Sequence, residues 1–102
     1  MKGVGFHPEA RAEFMAAVAY YNEQASGLGA QFIDEVERAV QLIADQPGLG
    51  MPGEQSRGLR RWLLRRFPYY VIYRSEPGTT LILAVAHHRK RPGYWRSRES
   101  GA

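Results

Sequence analysis

Apolar and polar positions follow two different periods along this chain, and the change of period divides it in half. In the first half the apolar residues recur every three or four positions: Ala10, Phe14, Ala17, Val18 and Tyr21, then Phe32, Val36, Ala39, Val40 and Ile43. That spacing puts each set on one face of a helix. The first helix is predicted from about Pro8 to Ala25. Pro8 suits a first helical position, and Glu9 falls in the first turn, at the positive end of the helix dipole. Ser26-Gly27-Leu28-Gly29 breaks it, and the second helix runs to Asp45-Gln46-Pro47-Gly48. So short a connection makes the pair an antiparallel hairpin. Val4-Gly5-Phe6-His7 ahead of it is a short strand candidate. Asp34, Glu35, Glu37 and Arg38 occupy the outer face of the second helix and read as solvated.

After a Gly/Pro-rich loop over 47–58, the period becomes two. Three strands are predicted, at Leu59–Phe67, Tyr69–Arg74 and Thr80–His87, with Glu76-Pro77-Gly78-Thr79 as the hairpin turn between the last two. Pro68 marks the boundary between the first two. Alternation then assigns faces. Trp62 and Leu64 should face the helices, with Arg61, Leu63 and Arg65 opposite. Tyr69, Val71 and Tyr73 form one set, and Tyr70, Ile72 and Arg74 the other. In the last strand Leu81, Leu83 and Val85 should enter the core. Ala84, Ala86 and His88 should line a shallow outer groove flanked by arginines. A strand apolar on both faces is expected at the centre of the sheet.

Charge sharpens this division. The chain has 102 residues and a formal net charge of +4. Residues 1–54 carry three basic and eight acidic side chains, a balance of −5, whereas 55–102 carry ten arginines and Lys90 against Glu76 and Glu99, a balance of +9. Such a half favours polyanions or an acidic protein partner. Its basic residues are almost all arginine, which holds phosphate and carboxylate in bidentate geometry and stacks on flat rings. A merely solvated basic face is the plainer alternative. There is no cysteine, so disulfides and thiolate metal sites are excluded. Met1 to Phe6 lacks the apolar segment of a secretory signal, and no apolar run approaches the ~20 residues of a membrane helix. The cytoplasm is the expected location, with no membrane association. One domain is expected over 1–102, with about 96–102 as a candidate flexible tail.

The densest chemistry is Ala86-His87-His88-Arg89-Lys90-Arg91-Pro92-Gly93-Tyr94-Trp95-Arg96. Adjacent histidines on a strand point to opposite faces, so they are not expected to share a metal. No carboxylate cluster supplies further ligands, and neither metal nor cofactor is expected. Either histidine could do acid–base work near neutral pH or simply bond to backbone. Tyr94 and Trp95, interleaved with arginine, could stack on bases or anchor the tail on the sheet. The helix carboxylates are spread out with no partner histidine and do not form a catalytic set.

The stretches Arg65-Arg66-Phe67-Pro68-Tyr69-Tyr70-Val71-Ile72-Tyr73-Arg74 and Val85-Ala86-His87-His88-Arg89, then Pro92-Gly93-Tyr94-Trp95, resemble the RelE/ParE superfamily of bacterial toxins. So do Glu9-Ala10 after Pro8 and Gly29-Ala30-Gln31-Phe32 at the opening of the second helix. The similarity is to the ParE-like branch, often labelled plasmid stabilization proteins, and spans nearly the whole chain. It implies an α+β fold, with an N-terminal strand and a two-helix antiparallel hairpin packed on a mainly antiparallel sheet. It also implies a type II toxin neutralised by a cognate antitoxin, with a homodimer or a heterotetramer with antitoxin as candidate assemblies.

Two activities occur in the superfamily. RelE-like members cut mRNA on the ribosome, and ParE-like members inhibit DNA gyrase. For a nuclease, the resemblance makes His88 and Tyr94 the catalytic candidates and gives Arg61 and Arg65 the phosphate. Tyr70 occupies the middle-strand position, and His88 the last-strand position, where nucleases carry arginine; Arg89 is adjacent. A missing arginine there is worth a few kcal/mol, order of magnitude, in the transition state. For a gyrase inhibitor, Arg89, Lys90, Arg91, Arg96 and Arg98 around Tyr94 and Trp95 form the interface. The gyrase reading leads, the ribosome reading follows, and an inactive binding module of the same fold is the third.

Overall fold

A computed structural model describes residues 3–52 and 58–100. Its elements are β1 (Gly3–Phe6), α1 (Pro8–Gln24), α2 (Leu28–Asp45), a 3-10 turn (Pro47–Leu49), β2 (Met51–Pro52), β3 (Leu59–Leu63), β4 (Tyr69–Glu76), β5 (Thr79–His87) and a helical turn α3 (Ser97–Ser100). The strands form one sheet in the order β1-β5-β4-β3-β2. The β1–β5 pair is parallel and the other pairs are antiparallel. This is the α+β arrangement that the sequence implies. The predicted loop over 47–58 holds the 3-10 turn and β2, while 53–57 and 101–102 lie outside the described residues.

Local chemistry sets the helix ends. Pro8 opens α1, and the Nδ1 of His7 accepts the Glu9 amide at 3.1 Å as a side-chain cap. Three residues separate the helices, from extended Ala25 to Gly27 at φ 84°, so Leu28 and Gly29 belong to α2 rather than to the loop. Gly29 is there because the helices nearly touch: its amide donates to Asn22 Oδ1 at 3.0 Å, and a Cβ would lie 2.5 Å from that atom.

Both helices lie on one face of the sheet. Phe32, Val36, Val40 and Ile43 of α2 meet Val71, Tyr73, Ile82 and Val85, with Leu64 and Phe67 closing the end. Tyr21, Phe32, Phe67 and Tyr69 pack ring on ring, with centroids 4.9–5.3 Å apart. Each fully buried side chain of this size stabilises the fold by about 1.5–3 kcal/mol. Tyr73 keeps its hydroxyl satisfied inside the core. It donates to the Pro47 carbonyl at 2.7 Å and accepts from the Gly50 amide at 2.9 Å, and burial pushes its phenol above the ordinary range.

The faces of β3 and β4 follow the alternation, with Trp62 and Leu64 toward the helices. In β5 the expectation fails. Ile72 pairs with Ala84 but Tyr73 pairs with Ile82, so Leu83 is an extra residue, a β-bulge. One inserted residue reverses the facing of everything before it. Ile82 therefore enters the helix-side core with Val85, while Leu81 and Leu83 join Leu59, Ile72, Ala84 and Ala86 on the outer face. The shallow groove expected over Ala84 and Ala86 is not open either: Tyr94 and Trp95 pack there. Of the stretch read as a candidate flexible tail, Ser97–Ser100 are helical and Arg98 is buried, while 101–102 lie outside the described residues.

The β3 strand stops at Leu63 instead of reaching Phe67. The chain turns, the Leu64 amide donates to the Tyr69 carbonyl at 2.9 Å, and Glu35 accepts the amides of both Arg65 and Arg66. Glu35 is thus a cap for this turn, not part of a solvated face.

Candidate functional site

Strand β5 outlasts its neighbour β1. The last backbone bond between them runs from the His7 amide to the Ile82 carbonyl at 2.8 Å. Beyond it two side chains take the place of a strand. Glu13 Oε1 accepts the Val85 amide at 3.0 Å, and Arg98 Nη1 donates to the Leu83 carbonyl at 2.9 Å. These two side chains also bind each other in a fork, at 2.9 and 3.0 Å. Tyr94 donates its hydroxyl to Glu13 Oε2 at 2.5 Å, and the Arg98 guanidinium lies 5.1 Å from the Tyr94 ring centre. Arg98 is only 7% exposed, and Glu9 comes within 3.6 Å of its Nε. Burial first, and then the bond to Glu13, push the Tyr94 phenol far above the ordinary range. Arg98 is raised chiefly by its bond to Glu13. Charged bidentate bonds in such surroundings are the strong ones, and removing one partner leaves a buried charge unpaired.

The histidines do not point to opposite faces. Their rings are 4.7 Å apart at an interplanar angle of 31°. The strand ends at His87, so His88 has already left the alternation. Its amide and its Nδ1 both reach the Pro68 carbonyl, at 2.8 and 3.2 Å. Burial, His88 and Arg89, in that order, hold the His87 imidazole below its usual range. Its Nδ1 accepts the Arg89 amide at 3.1 Å. Among the described residues no group of three or more His, Cys, Asp or Glu is placed to hold a metal ion.

Arg61 and Arg65 are not brought together. Arg61 lies on the outer face, its guanidinium 5.2 Å from the Tyr70 ring centre and its Nε buried without a partner. Arg65 stands at the rim of a different feature, an open groove of about 840 Å³ between α2 and β3. Ala39, Leu42, Trp62 and Leu64 form the apolar part of its wall, and Asp34 and Arg38 add charge. Strand β2 pairs only with Arg60 and Arg61, so among the described residues β3 has no strand partner along this edge beyond Arg61. His88 and Tyr94 share no partner. Trp95 packs on the outer cluster. Arg89 and Arg91 are exposed, on either side of Lys90, whose ammonium sits 5.4 Å from the Tyr94 ring centre.

Sequence reasoning missed the roles of Glu13 and Glu35, and it put Arg98 in the exposed interface, whereas Arg98 is buried and paired with Glu13. A signal for Glu13 existed: it falls between Ala10 and Ala17 at helical spacing, on the apolar stripe, where an unpaired carboxylate is costly. Nothing comparable marks the burial of Arg98.

The sequence model of the family described as ParE toxin of type II toxin-antitoxin system, parDE, matches residues 4–92. The chain belongs to the ParE toxin family. Among solved structures, a chain of the chromosomal ParDE toxin–antitoxin system from P. aeruginosa is similar in fold. Its TM-score is 0.73 at 20% identity, covering 85% of this chain and 96% of that one. A search of curated proteins finds no significant match. Membership of the ParE family makes this a type II toxin and implies an antitoxin partner. Among the described residues no helix is long and apolar enough to cross a membrane.

Proposed function

We propose that this ParE-family toxin acts by binding DNA gyrase through its basic arm, residues 89–96, and that a cognate antitoxin neutralises it by occupying the groove between α2 and β3. The observation that carries the first part is the engagement of Tyr94. A nuclease needs that hydroxyl to move a proton in the transition state, yet here it donates to Glu13 and its phenol is pushed far up. The histidines bond to backbone, and Arg61 and Arg65 stand apart. A binding surface needs no such set. Arg89, Lys90 and Arg91 follow the end of β5 beside aromatic rings, the side-chain types that anchor interfaces.

The groove supports the second part. It combines an apolar wall with charged rims, beside a strand edge still open to pairing. Of the exposed large hydrophobics, Leu42 lines this groove.

The experiment joins induced expression with assays on purified gyrase. Inhibition of supercoiling and trapped cleaved DNA are expected, and Arg89→Ala with Arg91→Ala should weaken them at least tenfold. Leu42→Arg should leave toxicity in place and weaken antitoxin binding at least tenfold. Translation arrest with codon-positioned mRNA cuts, and untouched gyrase, would replace this reading with the ribosomal one. No effect on growth would leave only a binding module.

A further inference from the structure

The basic arm leaves the sheet at His87 and makes no strand of its own. Its backbone bonds are local turns: Lys90 to His87, Tyr94 to Arg91, Arg96 to Gly93 and Arg98 to Trp95. Tyr94 and Trp95 seat on the outer face. Polar bonds tie the arm to the body from Tyr94 and Arg98 to Glu13 and to the Leu83 carbonyl, and Arg98 also meets Glu9. Glu13 lies on α1, across the sheet edge from that outer face, so it fixes the arm from the opposite side. Both of its oxygens are engaged, one by Val85 and Arg98, the other by Tyr94 and Arg98.

We infer that Glu13 is the positioning residue of the basic arm: it sets where Arg89, Lys90 and Arg91 stand, and through them the toxin's potency. The inference rests on the arm being the target-binding surface, as proposed above. The chemistry of the site makes Glu13 hard to replace. A carboxylate accepts from four donors at once, whereas glutamine offers one acceptor oxygen and turns an NH2 donor toward Arg98 or Tyr94. Glu13→Gln therefore keeps the shape and breaks the fork. The Tyr94 ring, held between Arg98 and Lys90, then loses its anchor, and the turn from 89 to 96 loses its fixed orientation.

The test uses the full chain in four forms: wild type, Glu13→Gln, the Arg89→Ala/Arg91→Ala pair, and all three changes together. Potency is read as the inducer dose that arrests growth at matched chain abundance, and antitoxin affinity and amide exchange are measured on purified protein. Glu13→Gln is expected to lose at least tenfold in potency and to speed amide exchange at residues 94–98. Antitoxin affinity should change less than twofold. In the Arg89→Ala/Arg91→Ala background, Glu13→Gln should add less than twofold, because the groups that it positions are gone. Additive losses, or full potency with a loosened arm, would overturn the inference. Should Glu13→Gln not fold, Tyr94→Phe runs the same comparison with a smaller loss. If the arginine pair alone costs nothing, the arm is not the target surface and the reading beneath the inference fails, an outcome distinct from failure of the latch.

Discussion

At the scale of single residues, the chemistry of Tyr94 is the most exposed to experiment. Its folded phenol titrates above the unfolded value of about 10, because burial and Glu13 both favour the neutral form. A raised acid binds its proton more tightly when folded. Its contribution to stability is complete below pH 10 and is lost as pH climbs from there toward the folded value. Denaturant titrations should therefore show stability falling above pH 10, and falling less steeply in Tyr94→Phe, with Tyr21, Tyr69 and Tyr73, also raised by burial, contributing to the remaining slope. A single residue also limited what the sequence could disclose. Glu13 sits on an apolar stripe, visible as an anomaly, but its partner is 85 positions away, and nothing local points there.

At the scale of elements, the pin from Tyr73 to the 3-10 turn is expected to be unforgiving. A Cβ on Gly50 would lie 2.4 Å from the Tyr73 hydroxyl, inside a packed core that cannot give way. Gly50→Ala should cost about 1–3 kcal/mol, read as a shift in denaturant midpoint. Gly29→Ala should cost less, since the Asn22 side chain can swing aside and alanine favours the helix. The elements were largely legible in the sequence. Period and turn chemistry gave two helices and three long strands, and residue pairs such as Trp62 with Leu64 faced as alternation requires. Strand β5 did not, because a bulge leaves no mark in composition: Leu83 is as apolar as its neighbours. The open groove inferred over Ala84 and Ala86 failed for a related reason. Small residues mark a close approach, and here what approaches is the chain's own Tyr94 and Trp95. Conversely, Glu35 looked solvated because the turn that it caps comes 30 residues later.

At the scale of the whole molecule, the charge division read from the sequence maps onto two different surfaces. The helix layer carries most of the acid, and the strand end and arm carry exposed arginine. Binding by the arm to a target bearing nucleic acid should weaken steeply as salt rises. Binding in the groove, with its apolar wall, should change far less over the same range. Measuring both affinities between low and physiological ionic strength would separate the surfaces, and equal slopes would argue that the arm and the groove serve one partner.

The closure of β5 has a consequence beyond positioning. A strand that runs past its neighbour leaves bare amides and carbonyls, a template on which another chain can grow. Glu13 and Arg98 occupy that template with charge, so the same fork should also keep molecules of the toxin from adding edge to edge. Loss of the fork should therefore appear not only as weaker toxicity but as a chain that self-associates into sheet-rich aggregates on concentration, measurable by light scattering. In that respect the arm is a stopper in a socket that would otherwise recruit its own kind.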